Sequence, residues 1–322
     1  MSEPLVTVIV PVHNAMPYLG ACIRSIAGQA YTNMEIIVTD DGSTDGSGGL
    51  CDELAATDAR ITVIHRSNGG VGVARNCALA VASGEWITFV DSDDILEPWC
   101  VSTLLSAACA SGAEAAMGGY RTIQKDGEPG GLVAPIEDRT SVSARRALEM
   151  LMYQEGVDTA PWGKLFRTDM FEGVQFPSLP SSEDLATVYK PLLKSAKVAI
   201  VRDSGYRYRV IAGSLSSSRR EEAAWHVARE VADDILERYP ELYKACSCRR
   251  LSFALHVMPQ AQSPDVACAL WNEVVATRGC VLRDGRARKE ARVAALLSYA
   301  GKDIAVAVLK HRNEAKGRGI DR

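Results

Sequence analysis

Hydrophobic and polar positions alternate in two different ways along the amino-terminal part of the chain. Short apolar runs, rich in β-branched residues, predict buried strands at residues 6–12, 35–39, 61–65 and 86–90. Between them, apolar residues recur at helical spacing and predict helices at residues 18–29, 47–56 and 71–82. Strands that alternate with helices are typical of an α/β fold, with a mostly parallel, Rossmann-like sheet flanked by helices.

The rest of the chain predicts a few more strands and then a helical region. Helices are expected at residues 98–111 and 143–152, and strands at 113–120, 198–201 and 206–210. The stretch 124–140, rich in Gly, Pro and charge, predicts a long loop or hairpin. After the Ser-rich stretch 213–218, the composition favours helices. We therefore expect one α/β domain over residues 1–217 and a helical carboxyl-terminal region over 218–322.

Four polar loops follow the predicted amino-terminal strands. In open parallel sheets, ligands bind outside the carboxyl ends of the strands, so these loops are expected to share one rim. Their sequences, in chain order, are HNAM, DDGSTDGS, RSNGG and DSDD. Because two of the four carry paired acids, the rim is predicted to bind a polar ligand.

The DSDD loop places Asp91 and Asp93 directly after an apolar strand. Carboxylate oxygens suit Mg²⁺ or Mn²⁺, and such an ion usually takes one or two carboxylates together with phosphate oxygens. A helix follows, and Pro98 is suited to its first turn. A plain turn with an aspartate helix cap is the alternative interpretation.

The other acidic loop begins with Asp40 and Asp41. Their carboxylates can accept hydrogen bonds from the ring N–H of uracil or guanine and from ribose hydroxyls. The alternative is an Asp-Gly turn that leads into a helix. Two acidic strand ends on one rim favour a nucleotide site with a metal ion.

The third loop enters a helix through the glycine-rich segment NGGVGVARN, residues 68–76. It does not match a dinucleotide fingerprint, because Arg75 stands where the third glycine belongs and the segment follows the third strand. A P-loop is also absent from the sequence. Arg75, on the first turn of that helix, is predicted to pair with a phosphate or to hold an acidic loop residue in place.

Glu183 and Asp184 stand at a predicted helix start, with Ser182 as the expected cap. A carboxylate at a helix start in a cleft suits a general base. The alternative is that these acids have no catalytic role and are simply favoured by the helix dipole. His13 can stack on a nucleobase or simply be a capped loop residue. Trp162 can line a sugar pocket or belong to the core.

Composition excludes some classes of partner. A net charge of −4 argues against a nucleic-acid binder, which normally carries a basic surface. Nine cysteines without a C-x-x-C pair indicate reduced thiols rather than a disulfide framework. The amino terminus lacks the features of a secretory signal, and no apolar stretch is long enough to span a membrane. These features predict a cytoplasmic protein.

Seven collinear blocks of the sequence resemble the family 2 glycosyltransferases of the GT-A fold. In bacteria, these enzymes build capsular, lipopolysaccharide or exopolysaccharide repeats. The resemblance covers about residues 4–217. Its blocks are VTVIVPVHN, EIIVTDDGSTDGS, NGGVGVARN, GEWITFVDSDD, WGKLF, SSEDL and YRYRVIAGSLS.

The resemblance implies a nucleotide-sugar donor, a UDP-hexose as the first expectation, in the half that spans about residues 1–97. It implies that Pro11, His13 and Asp41 surround the nucleobase, with Asp40 adjoining. His13 departs from the Tyr that is often found there, although an aromatic ring is kept.

The resemblance also implies how the transfer would proceed. Asp93 would face a Mn²⁺ or Mg²⁺ ion, and Asp91 would lie near the ribose and the donor sugar. Arg75, placed at the rim by its position in the sequence, is a further donor-side candidate. Asp184 matches the catalytic base of an inverting transfer, a single in-line displacement in which it takes the acceptor proton.

The acceptor half is expected to span about residues 98–217, with Trp162, Lys164 and Glu183 as acceptor-side candidates. The family's acceptors are glycans or lipid-linked glycans. Gly163 replaces an Asn that is common in the family, and this departure is expected to alter the acceptor pocket.

Two other functions remain open at this point. A sugar-nucleotide nucleotidyltransferase has a related sheet but normally carries a Gly- and Arg/Lys-rich loop after its first strand, where this chain has HNAMPYL. A non-catalytic nucleotide-sugar-binding protein could share the fold, but the intact Asp93 and Asp184 argue against it.

The end of the chain is basic and predicts one of two roles. It carries the cations Lys310, Arg312, Lys316, Arg318 and Arg322. Such a tail can rest on anionic lipid at the inner face of the plasma membrane, where each cation contributes about 1 kcal/mol. The alternative is a solvated, frayed terminus. The sequence predicts no oligomeric state.

Overall fold

The computed structural model describes residues 3–124, 127–138, 140–211 and 222–307. The chain divides into two compact units. The first comprises Met1–Ala147 and Gln154–Ile211, and the second comprises Leu148–Tyr153 and Ala212–Arg322. The domain limits expected from the sequence stay a prediction.

The first unit is built on one mixed, mostly parallel sheet. In the described part of the chain its strands are β1 (Val6–Val12), β2 (Met34–Asp41), β3 (Ile61–Arg66), β4 (Trp86–Phe89), β5 (Ile95–Leu96), β6 (Ala115–Ile123), β7 (Pro129–Val133), β8 (Thr140–Ser143), β9 (Lys164–Arg167) and β10 (Lys197–Arg209). The strand order is β3-β2-β1-β4-β9-β6-β10-β5, with β7 on β6 and β8 on β10. The predicted α/β fold is therefore confirmed.

Helices connect these strands and continue beyond them. They are α1 (Met16–Ala27), α2 (Ser47–Ala55), α3 (Val71–Leu79), α4 (Cys100–Ser111), α5 (Ala144–Tyr153), α6 (Leu185–Lys194), α7 (Glu222–Arg238), α8 (Tyr243–Val257), α9 (Pro264–Arg283) and α10 (Lys289–Leu297). All nine cysteines are free thiols.

The centre of the sheet forms because β1 is apolar on both faces. All seven of its residues are buried, as expected for a central parallel strand with helices on each side. On one face, α1 contributes Leu19, Cys22, Ile23 and Ile26 at helical spacing to the same core cluster as Val8. This core fixes the carboxyl ends of β1, β2, β3 and β4 at one edge.

The second unit is helical in its described part, so the predicted helical carboxyl-terminal region is confirmed. Helix α7 buries the apolar row that includes Trp225 and Val231. Helix α9 begins with Pro264, and the Ser263 hydroxyl accepts a hydrogen bond from Val266 N at 3.2 Å. None of the described helices is long and apolar enough to cross a membrane. The basic tail, Lys310 to Arg322, lies outside the described residues.

Three local predictions were wrong. Pro98 precedes α4, which begins at Cys100, and its carbonyl instead accepts a hydrogen bond from Ala30 N at 2.7 Å. Ser182 does not cap α6, because its φ is +67° and Asp184 takes that place. The two strands predicted at 198–201 and 206–210 are one strand, β10, with an irregularity in its pairing with β6.

Candidate active site

The four polar loops meet at one edge of the sheet, because β3, β2, β1 and β4 are parallel neighbours. The register of the strands places Pro11 beside Thr39 and Asp41 beside Arg66. Pro11 itself is buried. The rim predicted from the sequence is therefore present, and its side chains can be placed one by one.

The Asp41 carboxylate is fully occupied by the protein. It pairs with the Arg66 guanidinium and accepts hydrogen bonds from Gly69 N at 3.0 Å and Gly70 N at 2.7 Å. Only 2% of Asp41 is exposed. Gly70 has a φ of +92°, a conformation that glycine adopts at no steric cost. Asp41 therefore shapes the glycine-rich loop that leads into α3.

His13 lies exposed at the rim, beside this loop. Its Nδ1 donates to the carbonyl of Asp41 at 2.9 Å, and its Nε2 accepts from the side-chain amides of Asn14 and Asn68, each at 3.2 Å. These contacts hold the plane of the ring. The ring is thus held at the place where the resemblance implies a nucleobase.

Asp40 points towards β3 and α2. Its carboxylate accepts from Ser43 N and from His65 Nδ1, both at 3.1 Å, and His65 Nε2 reaches Asp52 at 3.0 Å. Burial acts against the charged form, yet the hydrogen bonds from Ser43 and His65 hold the pKa of Asp40 below its ordinary value. Two acids around one imidazole raise the pKa of His65.

Asp91 and Asp93, two of the three acids of the DSDD loop, have different surroundings. Asp91 accepts from the Arg75 guanidinium at 2.9 Å. No other residue in the described part of the chain donates a hydrogen bond to the Asp93 carboxylate. Burial, and then the charge of Asp91, raise the pKa of Asp93 to about 6. Asp93 is therefore an acid whose negative charge the protein leaves largely uncompensated.

Arg75 joins the DSDD loop to the E-D pair. It lies on α3, with 3% of its surface exposed, and its Nη1 donates to Glu183 Oε1 at 2.8 Å while its Nη2 donates to Asp91. Its guanidinium carbon lies 5.3 Å from the centre of the Phe176 ring. Two blocks far apart in the sequence are therefore brought together by one buried cation.

Asp184 is the half-buried N-cap of α6, and it accepts a hydrogen bond from Leu185 N at 2.6 Å. Burial, together with the charges of Glu183 and Asp158, raises its pKa to about 6. Glu183 is ion-paired with Arg75. Asp184, with its raised pKa, can exchange a proton near neutral pH.

All three acceptor-side candidates are buried, and Trp162 and Lys164 are packed among other groups of the protein. Trp162 stacks on Tyr206 with ring centres 4.7 Å apart, and Tyr120 contacts it edge-on at 4.7 Å. Lys164 is 1% exposed, and its Nζ donates to the carbonyl of Ala160 at 2.7 Å. Burial lowers the pKa of Lys164 to about 8. Any role that Trp162 or Lys164 has towards an acceptor is therefore indirect.

Gly163, which departs from the family pattern, has a φ of +64°. This left-handed conformation is one that Gly and Asn adopt more readily than other residues. A Cβ atom at this position would meet its nearest neighbour, the Ser204 hydroxyl, at 3.7 Å, an ordinary contact. The backbone conformation at this position suits either Gly or Asn, and the effect of the replacement on the acceptor pocket stays a prediction.

The interpretation of the sequence missed three residues that hold the DSDD loop. Asp94 is fully buried, and its carboxylate accepts from Tyr206 OH at 2.5 Å and from Arg209 N at 2.7 Å. The signal was the Y-R-Y-R run of β10, which is unusually polar and aromatic for a central strand. Its pairing with the DSDD loop cannot be inferred from spacing.

A family model described as glycosyl transferase family 2 matches residues 7–176, more than half of the chain. The chain belongs to this family. It is a glycosyltransferase, and its sheet is that of the GT-A fold. The nucleotidyltransferase alternative is set aside by this match.

Individual relatives agree with the family assignment. Glycosyltransferase GlyG of Streptococcus pneumoniae is 32% identical over 255 residues, which are 76% of this chain and 81% of GlyG. The structure of S. aureus TarS in complex with UDP-GlcNAc has a TM-score of 0.72, with 21% identity, 96% of this chain and 92% of that chain covered. The mannosyltransferase PcManGT of Pyrobaculum calidifontis, solved with GDP-Man and Mn²⁺, has a TM-score of 0.55, with 18% identity, 95% of this chain and 87% of that chain covered. Both structural likenesses show the fold.

A divalent ion at the DSDD loop would have to take part of its ligands from a substrate. In the described ranges, no three His, Cys, Asp or Glu side chains converge as metal ligands. Mg²⁺ and Mn²⁺ sites that serve diphosphates use one or two carboxylates and take the remaining ligands from phosphate and water. Asp93, half-buried and without an ion-pair partner among the described residues, fits such a site, and Asp91 lies two residues away.

Proposed function

We propose that this glycosyltransferase moves a hexose from UDP to an acceptor hydroxyl with inversion, in the synthesis of a cell-surface polysaccharide or glycolipid. One observation carries the proposal. Arg75 binds Asp91 at 2.9 Å and Glu183 at 2.8 Å, so one buried cation holds an acid expected at the donor next to an acid expected at the acceptor. An enzyme that joins two substrates needs both groups within reach of one another.

The donor half binds the nucleotide in this proposal. Pro11 and His13 contact the nucleobase, with Asp41 and Asp40 behind them. The support is that the His13 ring is held by Asp41 and Asn68 and is exposed. Because Asp41 and Asp40 are buried and already hydrogen-bonded within the protein, their contribution is to hold the loops that carry His13 and the nucleobase site.

Asp93, assisted by Asp91, would hold Mn²⁺ or Mg²⁺. When bound, such an ion neutralises charge on the diphosphate leaving group. Arg75 holds Asp91 in place through their ion pair. Because the Arg75 guanidinium is buried, this side chain loses little conformational freedom when the donor binds.

Asp184 acts as the general base. The acceptor oxygen attacks the anomeric carbon, the bond from that carbon to the diphosphate oxygen breaks, and the electron pair leaves with the diphosphate. The acceptor proton moves to Asp184. A carboxylate with a pKa of about 6 is deprotonated at neutral pH and is a stronger base than an exposed aspartate.

The acceptor is proposed to be a glycan or a lipid-linked glycan, bound next to the half-buried Asp184. The proposal includes action in the cytoplasm, at the inner face of the plasma membrane. Contact there through the tail from Lys310 to Arg322 rests on its charge alone, because these residues lie outside the part of the chain that the structure describes.

A panel of nucleotide sugars tests the proposal. Thermal unfolding is followed with UDP- and GDP-hexoses in Mn²⁺ or EDTA, because a ligand that binds the folded state raises the unfolding temperature. We expect a UDP-hexose in Mn²⁺ to give the largest rise, and the same donor to release UDP with a glycan acceptor. A larger rise with a GDP-hexose would overturn the UDP assignment, and equal rises in EDTA would overturn the metal.

A further inference from the structure

We infer that Tyr206 is a positioning residue: its hydroxyl, through Asp94, fixes the DSDD loop in the shape that presents Asp91 and Asp93 to the metal-bound donor. This inference rests on the proposed function, because it assumes that these two acids serve a divalent ion. Tyr206 lies on β10, which is distant in the sequence from the DSDD loop and from α4, the helix that follows this loop.

The main-chain groups of the loop are held from outside. Asp91 N donates to the Tyr206 hydroxyl at 3.2 Å, and the carbonyl of Asp93 accepts from Arg209 Nε at 2.8 Å. From the other side, Cys22 Sγ donates to the carbonyl of Asp91 at 3.4 Å. With its peptide groups occupied in this way, the loop has few ways to reorient, and its acids keep one direction.

Asp94 is the link between the loop and β10. It is fully buried, and each of its carboxylate oxygens has one partner on β10, Tyr206 OH at 2.5 Å and Arg209 N at 2.7 Å. A buried carboxylate is costly unless it is hydrogen-bonded, so losing either donor would force the loop to rearrange. Asp94 is therefore a structural acid, while Asp93 next to it is left for the ligand.

The ring of Tyr206 adds a second connection. It stacks on Trp162 at 4.7 Å, with the two planes 11° apart, and is itself fully buried. The residue thus contacts the WGKLF block with its ring and the DSDD loop with its hydroxyl. Replacing only the hydroxyl separates the two contacts, because phenylalanine keeps the stack.

The test is calorimetry of UDP binding, in Mn²⁺ and in EDTA, with Tyr206→Phe and a matched control. Tyr120→Phe is the control, since Tyr120 pairs with Tyr206 in the neighbouring strand and contacts the same Trp162. Removing a group that orients metal ligands typically costs 10- to 100-fold in metal affinity. We expect the Mn²⁺-dependent gain in UDP affinity to fall about tenfold in Tyr206→Phe and to stay unchanged in Tyr120→Phe.

The affinity in EDTA separates positioning from a general structural role. We expect it to be the same in Tyr206→Phe and the wild type. If Tyr206→Phe keeps the full Mn²⁺-dependent gain, or loses affinity equally in EDTA, the inference is overturned. A wild type without any Mn²⁺-dependent gain would instead overturn the proposed function.

A second variant covers the case in which Tyr206→Phe does not fold. Asp94→Asn keeps an oxygen for Arg209 N and leaves the Tyr206–Trp162 stack in place. We expect the same selective, about tenfold loss of the Mn²⁺-dependent gain. A Mn²⁺-dependent gain that equals that of the wild type in this folded variant would overturn the inference.

Discussion

The end of β2 and the loop after β4 both carry acids at the same edge of the sheet, yet the protein treats their carboxylates in opposite ways. Asp41, the last residue of β2, receives the Arg66 guanidinium and two backbone amides. The carboxylate of Asp93, in the loop after β4, receives no hydrogen bond from any other residue in the described ranges, and its pKa rises to about 6.

The difference separates an acid that stabilises the folded loop, Asp41, from an acid that is available to a ligand, Asp93. A carboxylate with several protein donors is stabilised in the folded chain and has little to offer a cation. One that is buried with few donors is unfavourable by itself and gains most from a ligand of opposite charge. Asp184, with one backbone donor and a pKa of about 6, belongs with Asp93 in this respect.

The largest effect should come from removing the base. We expect Asp184→Asn to slow transfer by about a hundredfold or more, because the variant lacks the carboxylate that takes the proton of the acceptor hydroxyl. Donor binding should stay near the wild-type value. Turnover on the acceptor and calorimetry of UDP with Mn²⁺ are measured side by side. Wild-type turnover in the variant would remove Asp184 from the base position.

Removing the unpaired acid of the donor loop should come next. Asp93→Asn is expected to lower the Mn²⁺-dependent affinity for UDP by about 10- to 100-fold, since it deletes one charge from a hard-cation site and preserves the shape. Calorimetry measures this, with Asp52→Asn as a control that removes the same charge from an exposed position. Unchanged affinity in Asp93→Asn would place the metal elsewhere.

The pH dependence should follow the raised pKa of Asp184. A base must be deprotonated, so kcat/KM is expected to fall as pH drops below about 6, by about tenfold per unit once the group is protonated. The profile is measured from pH 5 to pH 8 at saturating Mn²⁺. A profile that stays flat down to pH 5 would show that the base has an ordinary aspartate pKa.

The smallest effect on catalysis should come from Asp41, and it should appear in stability. Asp41→Asn leaves Arg66 without its partner and weakens two hydrogen bonds, so we expect the free energy of unfolding to fall by about 1–3 kcal/mol.

The free energy of unfolding is also measured for Asp93→Asn. At pH 7 the folded protein must hold the Asp93 charge against a pKa raised to about 6, so deleting the charge should leave stability unchanged or higher. Urea unfolding of both variants checks the contrast. Equal losses would mean that the two acids do not differ as described.

Much of the donor half could be predicted from the sequence, because its information is local. A β-branched run that is apolar on both faces specifies a central strand, and β1 was predicted with the bounds that the structure has. Parallel strands necessarily bring their carboxyl ends to one edge, so the rim followed from the order of strands and helices. The boundaries of helices were less accurate where a cap decided them, as at Asp184 and Pro98.

What the acids do could not be predicted, because it depends on residues distant in the sequence. Only the tertiary structure shows that Arg66 occupies Asp41, that Arg75 joins Asp91 to Glu183, and that Tyr206 and Arg209 hold the DSDD loop. The periodicity of a sequence reports which face of an element is buried, but not which donor reaches a given carboxylate. That choice is made by strand order and register, and it separates the acids that build the site from those left to bind a ligand.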